Sequence, residues 1–296
     1  MRTMKPSTRA FPVETRPAAD GGRAIGSLIQ EARSLKDADL ERIATYQRER
    51  GVRFGEAAVA LRLADRNDVL EALSRQFQYT AGFSGTESDR ELVAAADPFS
   101  DQADAFRELR SRLLFEVPGD VPRRALAVVS PEVGDGKTYL AANLAVTFSQ
   151  LGARTLLIDA DLRTPRLHRL LRVRPRAGLS SALAGFGAAA ELVSPVPGVP
   201  NLHLLPAGAV PPNPLELLQR QPFGALMHEM LQQFEHVVVD TPAATRGADS
   251  RAVAARCGAT IVVARRDRSR LEALQGLLRA LSRGPSRIAG VVMNAH

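Results

Sequence analysis

The segment Val129-Ser-Pro-Glu-Val-Gly-Asp-Gly-Lys137-Thr138 sets small and polar residues ahead of a Lys-Thr pair. Small residues let successive backbone N–H groups converge on an anion at the start of a helix. A lysine there can neutralise the β- and γ-phosphates of a nucleotide, and the next hydroxyl can ligate Mg2+. Gly134, Asp135, Gly136, Lys137, Thr138 and Tyr139 are therefore the candidate ATP-binding residues. Two apolar runs end in carboxylates. Leu156-Leu-Ile-Asp159-Ala-Asp161-Leu-Arg163 carries two and an arginine, and His236-Val-Val-Val-Asp240-Thr-Pro242 carries one. An ammonium, a hydroxyl and strand-end carboxylates suffice for phosphoryl transfer, which needs mainly positioning and charge neutralisation. Pro131 stands where the strict GxxxxGK[ST] pattern opens with glycine.

Such a site needs strands that end beside it. Short apolar runs at 125–129, 155–159, 202–206, 236–240, 260–264 and 288–293 alternate with helical patterns, which predicts a parallel sheet. The phosphate loop follows the first run and precedes YLAANLAVTFSQLG, read as an amphipathic helix. The fold class is α/β: a P-loop NTPase with a mostly parallel sheet flanked by helices, preceded by a small all-α domain. Ligands in open α/β sheets bind beyond the carboxyl ends of strands, where Asp159 and Asp240 fall.

Residues 1–22 lack a periodic apolar face and read as a flexible tail. Within 23–80, Ala24–Gln47 aligns with Arg53–Gln76 across a five-residue spacer. Gly26 falls on Gly55, Arg33 on Arg62, Asp39 on Asp68 and Gln47 on Gln76, and each copy reads as a short helix, a turn and a longer helix. Residues 81–103 read as a linker with at most one helical turn, and 104–296 as the ATPase unit.

Across 296 residues, 45% are apolar and 24% charged, which suits a globular chain with a full core. No window of 18 apolar residues and no signal-like opening appears, so a cytoplasmic location is expected. One cysteine, Cys257, excludes an internal disulfide framework, and it reads as a packed small residue. His203, His228 and His236 lack zinc-ligand spacing. The net charge of +7 is carried almost wholly by arginine, the lysines being Lys5, Lys36 and Lys137.

LLIDADLR and VVVDTP resemble the extra Walker A′ and the Walker B motifs of the bacterial tyrosine kinases of capsule and exopolysaccharide synthesis. GLSSAL (178–183), LHLLPAGAVPPNPLELL (202–218) and GVVMN (290–294) are similar to the same family. The run Asp104-Ala-Phe-Arg107-Glu-Leu-Arg110 resembles its ExxRxxR oligomerisation motif. The resemblance covers 104–296 and implies a protein-tyrosine kinase that uses ATP and Mg2+. It implies Lys137 on the phosphates, Thr138 and Asp240 on Mg2+, and Asp159 positioning or deprotonating the attacking group, with a share in the metal. Asp161 and Arg163 would support metal and phosphate, Asp104, Arg107 and Arg110 a homo-oligomer, and Asn294 would contact the base or cap a chain end. The family's C-terminal tyrosine cluster has no counterpart after Asn294; the tyrosines are Tyr46, Tyr79 and Tyr139. Tail autophosphorylation is therefore not expected. The acceptor is another protein, Tyr46 or Tyr79, or the chain acts as an ATP-driven switch.

The N-terminal repeat resembles the N-terminal domain of type II secretion ATPases (GspE/MshEN class), some of which bind cyclic di-GMP through 24-residue motifs with a five-residue spacer. Arg33 and Arg62 stand where those motifs carry glycine, and a plain helical docking domain is the alternative. The combination resembles the EpsG subgroup of chain-length-determinant tyrosine kinases. It implies exopolysaccharide assembly and a membrane-anchored, Wzz-like chain-length determinant as activator, holding the chain peripherally at the inner membrane. Rival readings are a MinD/ParA-like ATPase switch, whose signature lysine is Glu132 here, and an ATP-binding adaptor. Arg163, Arg166, Arg169, Arg172, Arg174 and Arg176 form a basic cluster, but DNA is not the expected partner.

Overall fold

The computed structural model describes residues 25–65, 68, 69, 72, 91–115 and 125–295. The expected tail, Tyr79 and most of the second repeat's longer helix lie outside the described residues. The chain divides into two compact units, Met1–Phe77 and Gln78–His296.

In the first unit α1 (Ile25–Arg33), α2 (Asp37–Arg50) and α3 (Phe54–Ala60) close over Ile29, Ile43, Ala57, Ala58, Ala64 and Ala72. The repeat is visible in its hydrogen bonds. Asp39 accepts the backbone N–H of Lys36, and Asp68, 29 residues on, accepts that of Asp65. Each carboxylate satisfies an amide left over at a helix start. Arg33 ties the copies together by pairing with Asp65 and with Asp68 at 2.7 Å.

The second unit opens with α4 (Val93–Ala96) and α5 (Asp101–Phe115). Next come β1 (Ala125–Val129), α6 (Lys137–Ser149), β2 (Thr155–Asp159), and short helices α7 (Leu167–Leu170), α8 (Leu179–Leu183) and α9 (Ala189–Leu192). After β3 (Ser194–Pro195) and β4 (Leu202–Leu205) follow α10 (Pro214–Gln219), α11 (Gln221–Gln233) and β5 (His236–Asp240). The chain continues through α12 (Asp249–Cys257), β6 (Gly258–Arg265), α13 (Leu271–Ser282) and β7 (Arg287–Asn294). The sheet order is β3-β4-β2-β5-β1-β6-β7, parallel except for β3 against β4. Alternate residues of the central strands enter two cores: Leu126, Val128, Leu157 and Val238 face α5 and α6, whereas Ala127, Leu156, Ile158 and Val239 face α11 and α12. Burial on both faces explains the unbroken apolar runs. Among the described residues, no helix is long and apolar enough to cross a membrane.

Two expectations need correction. Residues 91–103 do not behave as linker: Leu92, Val93, Ala94, Ala95 and Ala103 are buried. The Asn143 side chain holds them, accepting the Ala94 N–H at 2.9 Å and donating to the Glu91 carbonyl at 2.7 Å, while Gln150 donates to the Ala94 carbonyl at 2.8 Å. Nor is α6 amphipathic. Every residue except Tyr139 is buried, because α4 and α5 cover the face turned away from the sheet.

Candidate functional site

The loop from Ser130 to Gly136 joins β1 to α6 at the carboxyl edge of the sheet, and Gly136 caps α6 with φ +98°. A side chain there would be strained by the left-handed backbone, and its Cβ, 2.2 Å from Asn294 Nδ2, would push that amide aside. That amide donates to the Asp135 carbonyl at 3.0 Å, so the end of β7 braces the loop. Asp135 is fully buried. Its carboxylate accepts Ser269 Oγ at 2.6 Å and the Glu132 N–H at 2.7 Å, which leaves any phosphate contact to its backbone. Arg265 donates to the Gly134 carbonyl at 3.2 Å, and Arg270 to the Glu132 carboxylate at 2.7 Å. Glu132, where the MinD/ParA rival carries its lysine, is thus committed within its own chain.

Lys137 and Thr138 open α6 and are buried. Strand pairing sets Asp159 of β2 directly opposite Asp240 of β5. Burial raises the Asp240 carboxyl to about 6, against the pull of the Lys137 charge and a Thr138 hydrogen bond. Burial, then the Asp240 and Asp161 charges, hold Asp159 well above the ordinary carboxylate range. Asp159 accepts the N–H groups of Asp161 and Leu167, both at 3.2 Å. Asp240 Oδ1 is buried without a hydrogen-bond partner. An orphaned carboxylate oxygen next to an ammonium and a hydroxyl is the donor set a hard cation takes. Among the described residues, no three His, Cys, Asp or Glu side chains group so as to hold a metal ion by themselves.

The structure brings Lys137, Thr138, Asp159 and Asp240 to one edge and gives the remaining candidates other partners. Asp161 accepts the N–H groups of Arg163 and Thr164 and the Thr164 hydroxyl, closing its own turn. Arg163 forms a two-pronged bond to Asp249 at 3.1 and 3.3 Å, and that carboxylate is buried. Tyr139 is half-buried, edge-on to Phe106 with ring centres 5.6 Å apart; burial, then Glu91, raises its phenol. It lines an apolar cavity of about 380 Å³ with Phe106, Leu109, Val292 and Met293, open beside Gly136. In α5, Arg107 folds onto Asp104 and the Pro98 carbonyl, and Arg110 donates to the Thr147 carbonyl at 2.7 Å.

Sequence reasoning missed Asp249, Ser269 and Arg265. Asp249 opens α12 directly after Gly247-Ala248, a helix-start signal, but nothing local indicates that its partner lies 86 residues earlier.

Residues 126–296 match the CobQ/CobB/MinD/ParA nucleotide-binding domain. The tyrosine-protein kinase wzc of Salmonella typhimurium is 35% identical over 69% of this chain, and the chain spans 28% of that relative's length. The putative tyrosine-protein kinase CapB of Staphylococcus aureus is 30% identical over 67% of this chain and 86% of its own. The kinase domain of Escherichia coli tyrosine kinase ETK superposes with a TM-score of 0.66 at 28% identity, covering 69% of this chain and 79% of that domain. A seven-stranded, mostly parallel sheet, a GKT loop with Asp159 and Asp240 opposed beside it, and these likenesses agree: the chain belongs to the CobQ/CobB/MinD/ParA nucleotide-binding family, on the branch of the bacterial tyrosine-protein kinases.

Proposed function

We propose that the chain is an ATP-dependent protein-tyrosine kinase governing exopolysaccharide chain length or export. The observation that carries the reading is the in-register pair Asp159–Asp240 beside Lys137 and Thr138. Lys137 and the backbone of Gly134, Asp135 and Gly136 hold the β- and γ-phosphates, with the purine in the apolar cavity beside Gly136 and Tyr139. Thr138 and Asp240 would hold Mg2+, with Asp159 within reach of the same ion; when bound, it offsets charge on the phosphate oxygens. Asp159 orients the acceptor tyrosine, and its raised carboxyl suits it to take the phenolic proton. The phenolic oxygen forms its bond to the γ-phosphorus as the bond to the ADP oxygen breaks. Asp161 and the Arg163–Asp249 pair fix the turn that carries Asp159.

In this reading the chain is cytoplasmic and reaches the inner membrane through a membrane-anchored, Wzz-like chain-length determinant. The helical first unit is a docking module or a cyclic di-GMP site, and Asp104, Arg107 and Arg110 contribute to a homo-oligomer. The test is transfer from γ-labelled ATP with Mg2+ and the partner's cytoplasmic segment, comparing wild type, Lys137→Met and a Tyr46→Phe/Tyr79→Phe chain. Tyrosine label that requires Lys137 is expected. Nucleotide binding without labelled tyrosine on either protein would replace the kinase with an ATP switch.

A further inference from the structure

From Leu162 to Ala190 the chain carries six arginines and no acidic residue. Its apolar side chains fix where those arginines go. Leu167, Leu170, Leu171 and Val173 are buried in the core that faces α6, which turns Arg166, Arg169, Arg172, Arg174 and Arg176 outward. Two of the six are neutralised within the fold, Arg163 by Asp249 and Arg166 by Glu91. Among the described residues, no carboxylate pairs with Arg169, Arg174 or Arg176, and all three are exposed. The run starts against the reacting edge: the N–H of the buried Leu167, two residues before Arg169, donates to Asp159 Oδ2 at 3.2 Å.

Resting on the kinase reading, we propose that Arg169, Arg174 and Arg176 dock an acidic segment flanking the phosphoacceptor tyrosine. A tyrosine held at Asp159 puts its neighbouring residues over the arginine run, where Asp or Glu side chains meet guanidinium groups whose charge the fold leaves uncompensated. Contiguity with Asp159 favours a short peptide over a nucleic acid or a membrane, neither of which needs to reach the reacting carboxylate. Exposed pairs of this kind are weak singly and add to about a tenfold effect for three.

The test uses the full chain with its activating partner and two peptides, tyrosine flanked by glutamates and tyrosine flanked by alanines. An Arg169→Gln/Arg174→Gln/Arg176→Gln chain is expected to raise KM for the glutamate peptide about tenfold. It should leave kcat, the KM for ATP and turnover of the alanine peptide unchanged. The corresponding triple Glu chain should invert the preference toward a lysine-flanked tyrosine, which also shows that the fold survives. Equal loss on both peptides, or no wild-type preference for glutamate, overturns the proposal. So does competition by duplex DNA or anionic phosphatidylglycerol vesicles at the peptide's own concentration. Anisotropy of a labelled glutamate peptide with Phe for Tyr separates the two readings. Binding lost in the triple Gln chain while no peptide is ever phosphorylated sustains the docking surface and removes the kinase.

Discussion

Asp240→Asn should make the nucleotide-free protein more stable and useless to Mg2+, and the size of the gain follows from its surroundings. The carboxylate is 1% exposed, one of its oxygens lacks a partner, and burial lifts it from 3.8 to about 6. A carboxyl whose folded pKa is raised binds more protons folded than unfolded. Its contribution is therefore complete below about pH 4 and disappears as pH climbs through about 6. A shift of about two units at 1.36 kcal/mol each gives about 3 kcal/mol of strain above pH 7. Asparagine removes the charge at nearly constant volume but brings an amide that also needs partners, so a gain of about 1–3 kcal/mol at pH 7.5 is expected, shrinking toward zero at pH 4.5. Urea unfolding followed by far-ultraviolet circular dichroism measures the difference, and hydrogen exchange at β1 assigns it to the α/β unit. Mg·ADP should stabilise only the wild type. A variant less stable at pH 7.5, or a difference independent of pH, would refute the assignment of Asp240 as a buried, charge-strained carboxylate.

Other perturbations probe separate parts of the site. Gly136→Ala forces a left-handed backbone on a residue whose Cβ collides with Asn294; a loss of about 1–3 kcal/mol is expected, with nucleotide affinity falling in calorimetric titration. Asn143→Ala strands the Ala94 N–H and Glu91 carbonyl and should cost about 2–3 kcal/mol, with hydrogen exchange accelerating first at 91–96; protection unchanged there would contradict the core role of that segment. Asp249→Asn leaves Arg163 with one prong of its clamp. Reduced phosphotransfer with ATP affinity kept is the expected pattern, and equal loss of both would place Arg163 on the nucleotide instead.

The sheet was legible because its central strands are buried on both faces and so appear as unbroken apolar runs; each observed strand of four or more residues, including the part-exposed β7, begins within two positions of its expectation. The placement of Asp159 and Asp240 was legible from residue type and strand-end position, and that of Lys137 and Thr138 from their place at a helix start after a glycine-bearing loop. What escaped depends on contacts between distant segments. The short stretch 91–103 has too little apolar length to announce burial, and its anchors, Asn143 and Gln150, lie some fifty residues on. Ser269 reaches Asp135 across 134 positions, and Arg163 reaches Asp249 across 86. The two-residue β3 carries no pattern at all.

The same long-range contacts explain why the edge can hold so much like charge. Asp159 and Asp240 face each other because backbone pairing between β2 and β5 fixes them, and the apolar layers on both sides of those strands keep the pairing rigid. Among the described residues no arginine forms an ion pair with either carboxyl, although six arginines follow Asp159 in the chain; the charge of Arg166 acts on Asp240, more weakly than that of Lys137. Arg163 is bound to Asp249 and Arg166 to Glu91, while the others point outward. Lys137 and a Thr138 hydrogen bond bear on Asp240 from the start of α6. With Arg163 and Arg166 paired to other carboxylates, the negative pair is only partly offset; in the proposed reading a cation and a phosphate chain would relieve it together, so the bound ligand would strengthen the fold.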